Sequence, residues 1–243
     1  MSKQSLTIAH LYPELLNLYG DNGNITCLKK RLEWRGIEAN VVEVHVGDTC
    51  DFANTDIAFI GGGSDREQQI VAGYLCEQKE AAKAYVEDMG VLVAVCGGYQ
   101  LLGHYYQLGD EKVEGMGVVD MYTDRGTPRL IGNLAIKSPI SSMPIVGYEN
   151  HGGRTHLGEG VSGLGEVLSG FGNNGETGYE GCLYKNVVGT YIHGPLLPKN
   201  PNVADWIIKQ ALIRKYGECE LETLDDAVEI AANTYMFERI MGE

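Results

Sequence analysis

Cys96 closes an apolar run, Val91-Leu92-Val93-Ala94-Val95, and is followed by Gly97-Gly98-Tyr99-Gln100. A nucleophile elbow has this form, because small residues after the nucleophile let the chain turn sharply from strand to helix and expose its side chain. The positive end of the following helix is expected to lower the Cys96 pKa and favour the thiolate. Gly97 N–H is then placed to act as one oxyanion donor. A second feature, Gly61-Gly62-Gly63-Ser64-Asp65, comes after the run Asp56 to Ile60 and reads as a loop of exposed backbone N–H groups for an anion or a developing oxyanion. It has neither the G-x-x-x-x-G-K-[ST] nor the G-x-G-x-x-G pattern, so ATP binding there is not expected. A thiol nucleophile works with an imidazole that takes and returns the proton. His193, between Gly189-Thr190-Tyr191-Ile192 and Gly194-Pro195, and His151, in Tyr148-Glu149-Asn150-His151-Gly152-Gly153, both sit where strand-like sequence enters a turn. Local sequence leaves the choice between them open.

The elements that must position these groups alternate in the first hundred residues. Ser5 to Tyr12, Val41 to Val46, Asp56 to Ile60 and Val91 to Val95 read as strands, the last two without polar alternation, as in buried parallel sheets. Ile25, Leu28 and Leu32 share one face of a helix running from about Asn22 to Gly36. Ser64-Asp65-Arg66-Glu67 has the form of a capping box and predicts a long helix from Ser64 towards Met89. This order predicts an α/β fold with a mostly parallel sheet flanked by helices, whose ligands bind at the carboxyl ends of the strands. From Gly115 onward the texture is β-rich, with runs at Gly117 to Tyr122, Arg129 to Lys137, Ile145 to Glu149 and Val187 to Ile192. Helical spacing returns at Val203, Trp206, Ile207 and Ala211, and a final helix is expected from about Asp225 to Met241. No Pro- or Ser-rich linker divides the 243 residues, so a single domain over 1–243 is expected.

Composition narrows the function. A formal net charge of −14 argues against a nucleic-acid partner, which needs a basic face. No apolar run approaches the roughly 20 residues that span a bilayer, so no membrane insertion is expected. The six cysteines form no Cys-x-x-Cys pair and no His-Cys cluster at zinc spacing. No metal is expected, and scattered thiols without an export signal point to the reducing cytoplasm.

Taken together, Gly61-Gly62-Gly63, Cys96-Gly97-Gly98-Tyr99-Gln100 and Tyr191-Ile192-His193-Gly194-Pro195 resemble the class I glutamine amidotransferases. The resemblance is closest to the cobyric acid synthase-like (CobB/CobQ) branch, in which Glu-Asn-His-Gly-Gly and Tyr-x-His-Gly-Pro segments recur. Within it the chain is similar to glutaminase subunits of lipid II-amidating synthetases, through His10-Leu11-Tyr12, Asn17 to Asn24, Gly61 to Gln68 and Gly147 to Thr155. The resemblance implies Cys96 as nucleophile, His193 as base with His151 structural, Gly62 and Gly97 N–H groups as the oxyanion hole, and Gln100 beside bound L-glutamine. It raises Arg129 above Arg154 as a buried or half-buried fork for the glutamine α-carboxylate. It also implies a heteromeric complex with a Mur ligase-like synthetase subunit that carries ATP and Mg, this chain having no cofactor of its own. Most class I enzymes place a Glu two residues after the histidine to orient its ring, and here that position is Pro195. The acid is therefore expected from elsewhere in the chain or, preferentially, from the partner. The rival expectations are the glutaminase subunit of another synthetase, such as a corrinoid amide synthase, and a non-catalytic binding module.

Overall fold

The structure, a computed structural model, describes residues 4–217 and 219–242. In chain order the elements are β1 (Ser5–Leu11), α1 (Asn22–Trp34), β2 (Glu38–Val44), β3 (Ile57–Ile60), α2 (Asp65–Glu77), α3 (Lys79–Glu87), β4 (Val91–Val95), α4 (Gly97–Leu101), β5 (Tyr105–Leu108), β6 (Glu111–Glu114), β7 (Met121–Lys137), β8 (Ile145–Leu157), β9 (Gly165–Ser169), β10 (Tyr179–Glu180), β11 (Cys182–Tyr184), β12 (Val187–Thr190), α5 (Pro201–Tyr216) and α6 (Ala227–Gly242). Six strands form one sheet in the order β11-β12-β4-β3-β1-β2, parallel throughout except for the edge strand β11. β3, β4 and β12 are buried at every residue, which is why their sequences carry no polar alternation. A second sheet, β10-β9-β7-β5-β6 with β8 paired to β7, makes the β-rich second half. Buried apolar residues of both sheets, from Leu6 to Val95 and from Tyr106 to Leu164, run into one cluster.

The expected long helix after Ser64 is two helices. Its start is as the capping box predicts, with Ser64 and Glu67 exchanging side-chain and backbone bonds. It breaks at Gln78, which leaves helical geometry at φ −106°, ψ 8°. The Gln78 amide is committed elsewhere: its oxygen accepts from Cys50 N at 2.7 Å and its nitrogen donates to Tyr12 Oη at 3.1 Å. The runs around Gly117 and Arg129 also differ from expectation. Gly117 to Asp120 lies outside any strand, whereas Met121, Tyr122 and the whole run Arg129 to Lys137 belong to one 17-residue strand, β7, whose register against β8 shifts between Arg125 and Leu130. Turn-type residues Gly126-Thr127-Pro128 therefore make a bulge within a strand.

The sheet order brings four chain segments to one edge. β12, β4, β3 and β1 are successive neighbours in register, with Thr190 opposite Val95, Ala94 opposite Ile60, and Ile60 opposite Leu11. Leaving these strands in turn, Tyr191 to His193, Cys96, Gly61 to Gly63 and the segment from Tyr12 to Asp21 all emerge at the same carboxyl edge.

Candidate active site

Cys96 turns the chain from β4 into α4 at φ 49°, ψ −105°, left-handed backbone that a non-glycine residue adopts only under local constraint. The constraint is visible on both sides. Cys96 N donates to Thr190 O at 2.8 Å, and Gln100 N returns to Cys96 O at 3.0 Å. The glycines after it are required by close approach: a Cβ on Gly97 would lie 2.6 Å from Gln68 Nε2, and one on Gly98 would lie 2.7 Å from Gly61 O. The elbow is thereby pressed onto the glycine loop, with Gly98 N donating to Gly61 O at 3.1 Å.

Gly62 sits between Cys96 and His193. A Cβ there would lie 3.3 Å from Cys96 Cβ and 3.4 Å from His193 Cε1. His193 is pinned by a two-bond bridge to β8, its N donating to Tyr148 O at 2.7 Å and its O accepting from Tyr148 N at 3.3 Å. Its ring is buried, the Tyr19 ring packs on it at 4.6 Å, and neither ring nitrogen has a hydrogen-bond partner among the described residues. Burial, with His151 nearby, lowers the His193 pKa to about 4, so the ring is a neutral base. Pro195, standing where the orienting acid would be in most class I enzymes, packs instead against the first turn of α1, where a Cβ on Gly23 would lie 2.5 Å from it.

The thiol differs from the expectation drawn from sequence. Burial pushes the Cys96 pKa up to about 12, with the Asp21 carboxylate adding to the rise, and the Gly97 N–H only partly offsets this. α4 is five residues long, so its terminal field does not outweigh desolvation. The resting pair is therefore a neutral thiol and a neutral imidazole.

A cleft of about 480 Å³ opens onto Cys96, within the usual small-molecule range of roughly 300–1,000 Å³. Its walls include Gln100 and Arg129, whereas Gly62 and His193 are not among its lining residues. Arg129 is exposed on this wall, not buried as expected from sequence, because the β7 bulge lifts it outward. Its Nε and Nη2 donate to Asn150 Oδ1 at 3.1 Å and Asn150 O at 3.0 Å, which ties the guanidinium to β8. Arg154 spends its donors on Gly152 O, Gly153 O and Pro128 O and braces the bulge. Gln100 donates to Tyr191 Oη at 3.2 Å, within a chain that continues through Thr155 and Thr123 hydroxyls. His151 stacks flat on Tyr191 at 3.6 Å, its nitrogens facing Gly153 O at 2.9 Å and Glu149 Oε2 at 3.3 Å. Glu149 is fully buried and also accepts from Phe171 N and Gly172 N. Both His151 nitrogens are thus committed to holding the cleft floor.

Two residues of this site carry no role in the sequence reading. Asp21 is fully buried, and its Oδ2 accepts from Gly62 N at 2.6 Å. Gln68 is 3 % exposed, lies under Gly97 and donates to Gly63 O at 3.0 Å. The segments containing both are recognisable as motifs, but burial of a carboxylate has no signature in local sequence. Among the described residues no group of three His, Cys, Asp or Glu is placed to hold a metal. No helix there is long and apolar enough to cross a membrane.

An elbow cysteine and a histidine at adjacent strand ends, flanking a glycine loop, have the arrangement that a thiol-dependent amide hydrolase uses. The chain belongs to the CobB/CobQ-like glutamine amidotransferase domain family, whose model matches residues 7–201. It is 44% identical over 235 residues to the lipid II isoglutaminyl synthase (glutamine-hydrolyzing) subunit GatD of Staphylococcus aureus, covering 96% of each chain. It is 45% identical to the subunit of the same name from Streptococcus pneumoniae, over 88% of this chain and 83% of that one. Among solved structures, that of PurLQS from Thermotoga maritima contains a chain with the same fold, at a TM-score of 0.56 and 16% identity, covering 86% of this chain and 98% of that chain.

Proposed function

We propose that the chain is the glutaminase subunit of a lipid II isoglutaminyl synthase. The observation that carries the chemistry is the strained Cys96 elbow set against Gly62, with His193 Cε1 on the other side of the same glycine. Cys96 Sγ attacks the side-chain carboxamide carbon of L-glutamine, and its proton passes to His193. Negative charge on the former carbonyl oxygen is taken up by the N–H groups of Gly97 and Gly62. His193 returns the proton to the departing nitrogen, ammonia leaves, and water activated by the same imidazole opens the thioester to release glutamate. Arg129 holds the substrate α-carboxylate from the cleft wall, and Gln100 lies beside it.

The ammonia passes to a Mur ligase-like partner of the MurT type, which holds ATP and Mg and amidates the D-glutamate α-carboxylate of the lipid II stem peptide. The names of the two relatives support this assignment, since each is a subunit. That neither His193 nitrogen has a partner among the described residues supports a carboxylate of the synthetase subunit as the orienting acid. Six free cysteines support a cytoplasmic setting. The test is to supply glutamine labelled with ¹⁵N in the side-chain amide to the reconstituted pair with lipid II and ATP. The label is expected in the lipid II stem. Release of all of it as free ammonia, with lipid II unchanged, would overturn the assignment.

A further inference from the structure

Gly62 N–H, one of the two proposed oxyanion donors, is already taken. It donates to Asp21 Oδ2 at 2.6 Å, a short bond, while Asp21 Oδ1 has no partner among the described residues. The segment that carries Asp21 also grips the other side of the same residue, since Leu18 N donates to Gly62 O at 2.9 Å. Tyr19, between them, adopts φ 60°, and its ring covers His193. One short stretch, residues 17–21, therefore sets the Gly62 peptide and lids the imidazole.

A carboxylate in that position works against the reaction. One N–H cannot serve two anionic acceptors, and a tetrahedral oxyanion at the Gly62 N–H would have to displace Asp21 or stand against its charge. The same charge disfavours the Cys96 thiolate. Asp21 is also not the missing orienting acid in this arrangement, because both His193 nitrogens are without a partner among the described residues. Resting on the glutaminase reading above, we propose that Asp21 is a positioning residue that keeps the oxyanion hole shut. Full turnover requires residues 17–21 to shift so that the carboxylate withdraws from Gly62. The stretch is reachable from outside, Leu18 and Tyr19 being exposed, so docking of the synthetase subunit is the event that moves it. Glutamine hydrolysis is then coupled to assembly, since the same shift uncovers His193.

The experiment measures glutaminase kcat and KM for the full chain and its Asp21→Ala and Asp21→Asn variants, alone and with the synthetase subunit. An oxyanion donor is worth roughly 10²–10³ in kcat. Asp21→Ala is therefore expected to raise kcat of the isolated chain at least tenfold with KM within about twofold, and to shrink the stimulation given by the partner. Asp21→Asn keeps an acceptor oxygen but loses the charge, and should fall between. A kcat equal to or below that of the unsubstituted chain in either folded variant overturns the proposal. A measurement without substitution guards against misfolding. The Gly62 amide proton of the isolated chain should resonate far downfield and track the titration of the Asp21 carboxyl carbon, and an amide that ignores it overturns the latch. Adding Cys96→Ala to each variant must abolish turnover, and activity surviving there would sink the glutaminase reading itself and not the latch alone.

Discussion

Gly98→Ala places one methyl group at the junction between the elbow and the glycine loop. The added carbon would lie 2.6 Å from Ile60 Cγ2, 2.7 Å from Gly61 O and 2.8 Å from Ile60 O. Two of these are backbone atoms of a buried strand end, so no side-chain rotation relieves them. Opening the Gly61 O contact from 2.7 Å to an ordinary 3.4 Å moves α4 by about 0.7 Å relative to the loop. Cys96 and Gly97 move with it, away from Gly62. A misplacement near 1 Å costs on the order of 10²-fold in rate, so kcat is expected to fall roughly 10- to 100-fold. KM should change less, because Arg129 sits on β7. Overpacking costs about 1–3 kcal/mol, offset by up to about 1 kcal/mol from replacing a helical glycine. The net loss of stability is then at most about 3 kcal/mol, and the variant should fold. Gly73→Ala is the matched control, an exposed position of α2 with nothing within 4 Å of the new carbon. It should gain a little stability and keep full activity. Steady-state glutaminase assays and urea unfolding of both variants decide the matter. A folded Gly98→Ala with unchanged kcat would refute the packing of elbow on loop.

The same geometry sets further outcomes. Burial raises the Asp21 carboxyl to about 7 and the Glu180 carboxyl to about 8. Both folded values exceed those of the unfolded chain, so the folded state binds more protons. Their contribution is fully present below about pH 4 and is lost as pH rises through 7–8. His193, lowered to about 4, opposes this only below about pH 6.5, so urea unfolding between pH 6.5 and 8.5 should show falling stability, and Glu180→Gln should flatten the slope. A slope unaffected by that substitution would contradict the assigned cause. Arg129→Ala should raise the glutamine KM at least tenfold with a smaller change in kcat, and an unchanged KM would remove it from the α-carboxylate. His193→Ala should abolish turnover in a folded chain, whereas His151→Ala should retain part of it. Equal losses in both would contradict their separate roles.

The parallel sheet and the elbow are legible in the sequence because their causes are local. β4 runs over the same five residues as its apolar stretch, and the Ser64 capping box starts α2 where its spacing places it. Features decided by distant contacts are not legible. Gln78 breaks a helix because Cys50 and Tyr12 claim its amide, and Gly126-Thr127-Pro128 stays within β7 because β8 resumes pairing on the far side. The helix terminus alone predicts a lowered pKa for the Cys96 thiol, and burial reverses the direction. Arg129 stands out by type but not by depth, since its exposure is set by a bulge. Asp21, which commands the Gly62 N–H, looks like any other acidic residue until the fold encloses it.

The central claim is that Cys96, and no other thiol, is the nucleophile. Of the remaining five cysteines, Cys50 and Cys182 are buried and Cys27, Cys76 and Cys219 are partly exposed, so a general alkylating reagent would favour the wrong ones. A glutamine-derived chloroketone, directed by the cleft, reverses that order if the site is as described. Peptide mapping after its reaction should find Cys96 modified alone, with free glutamine protecting it and activity lost in proportion to labelling. Modification of Cys27 or Cys182 in step with inactivation, with Cys96 left free, would contradict the account.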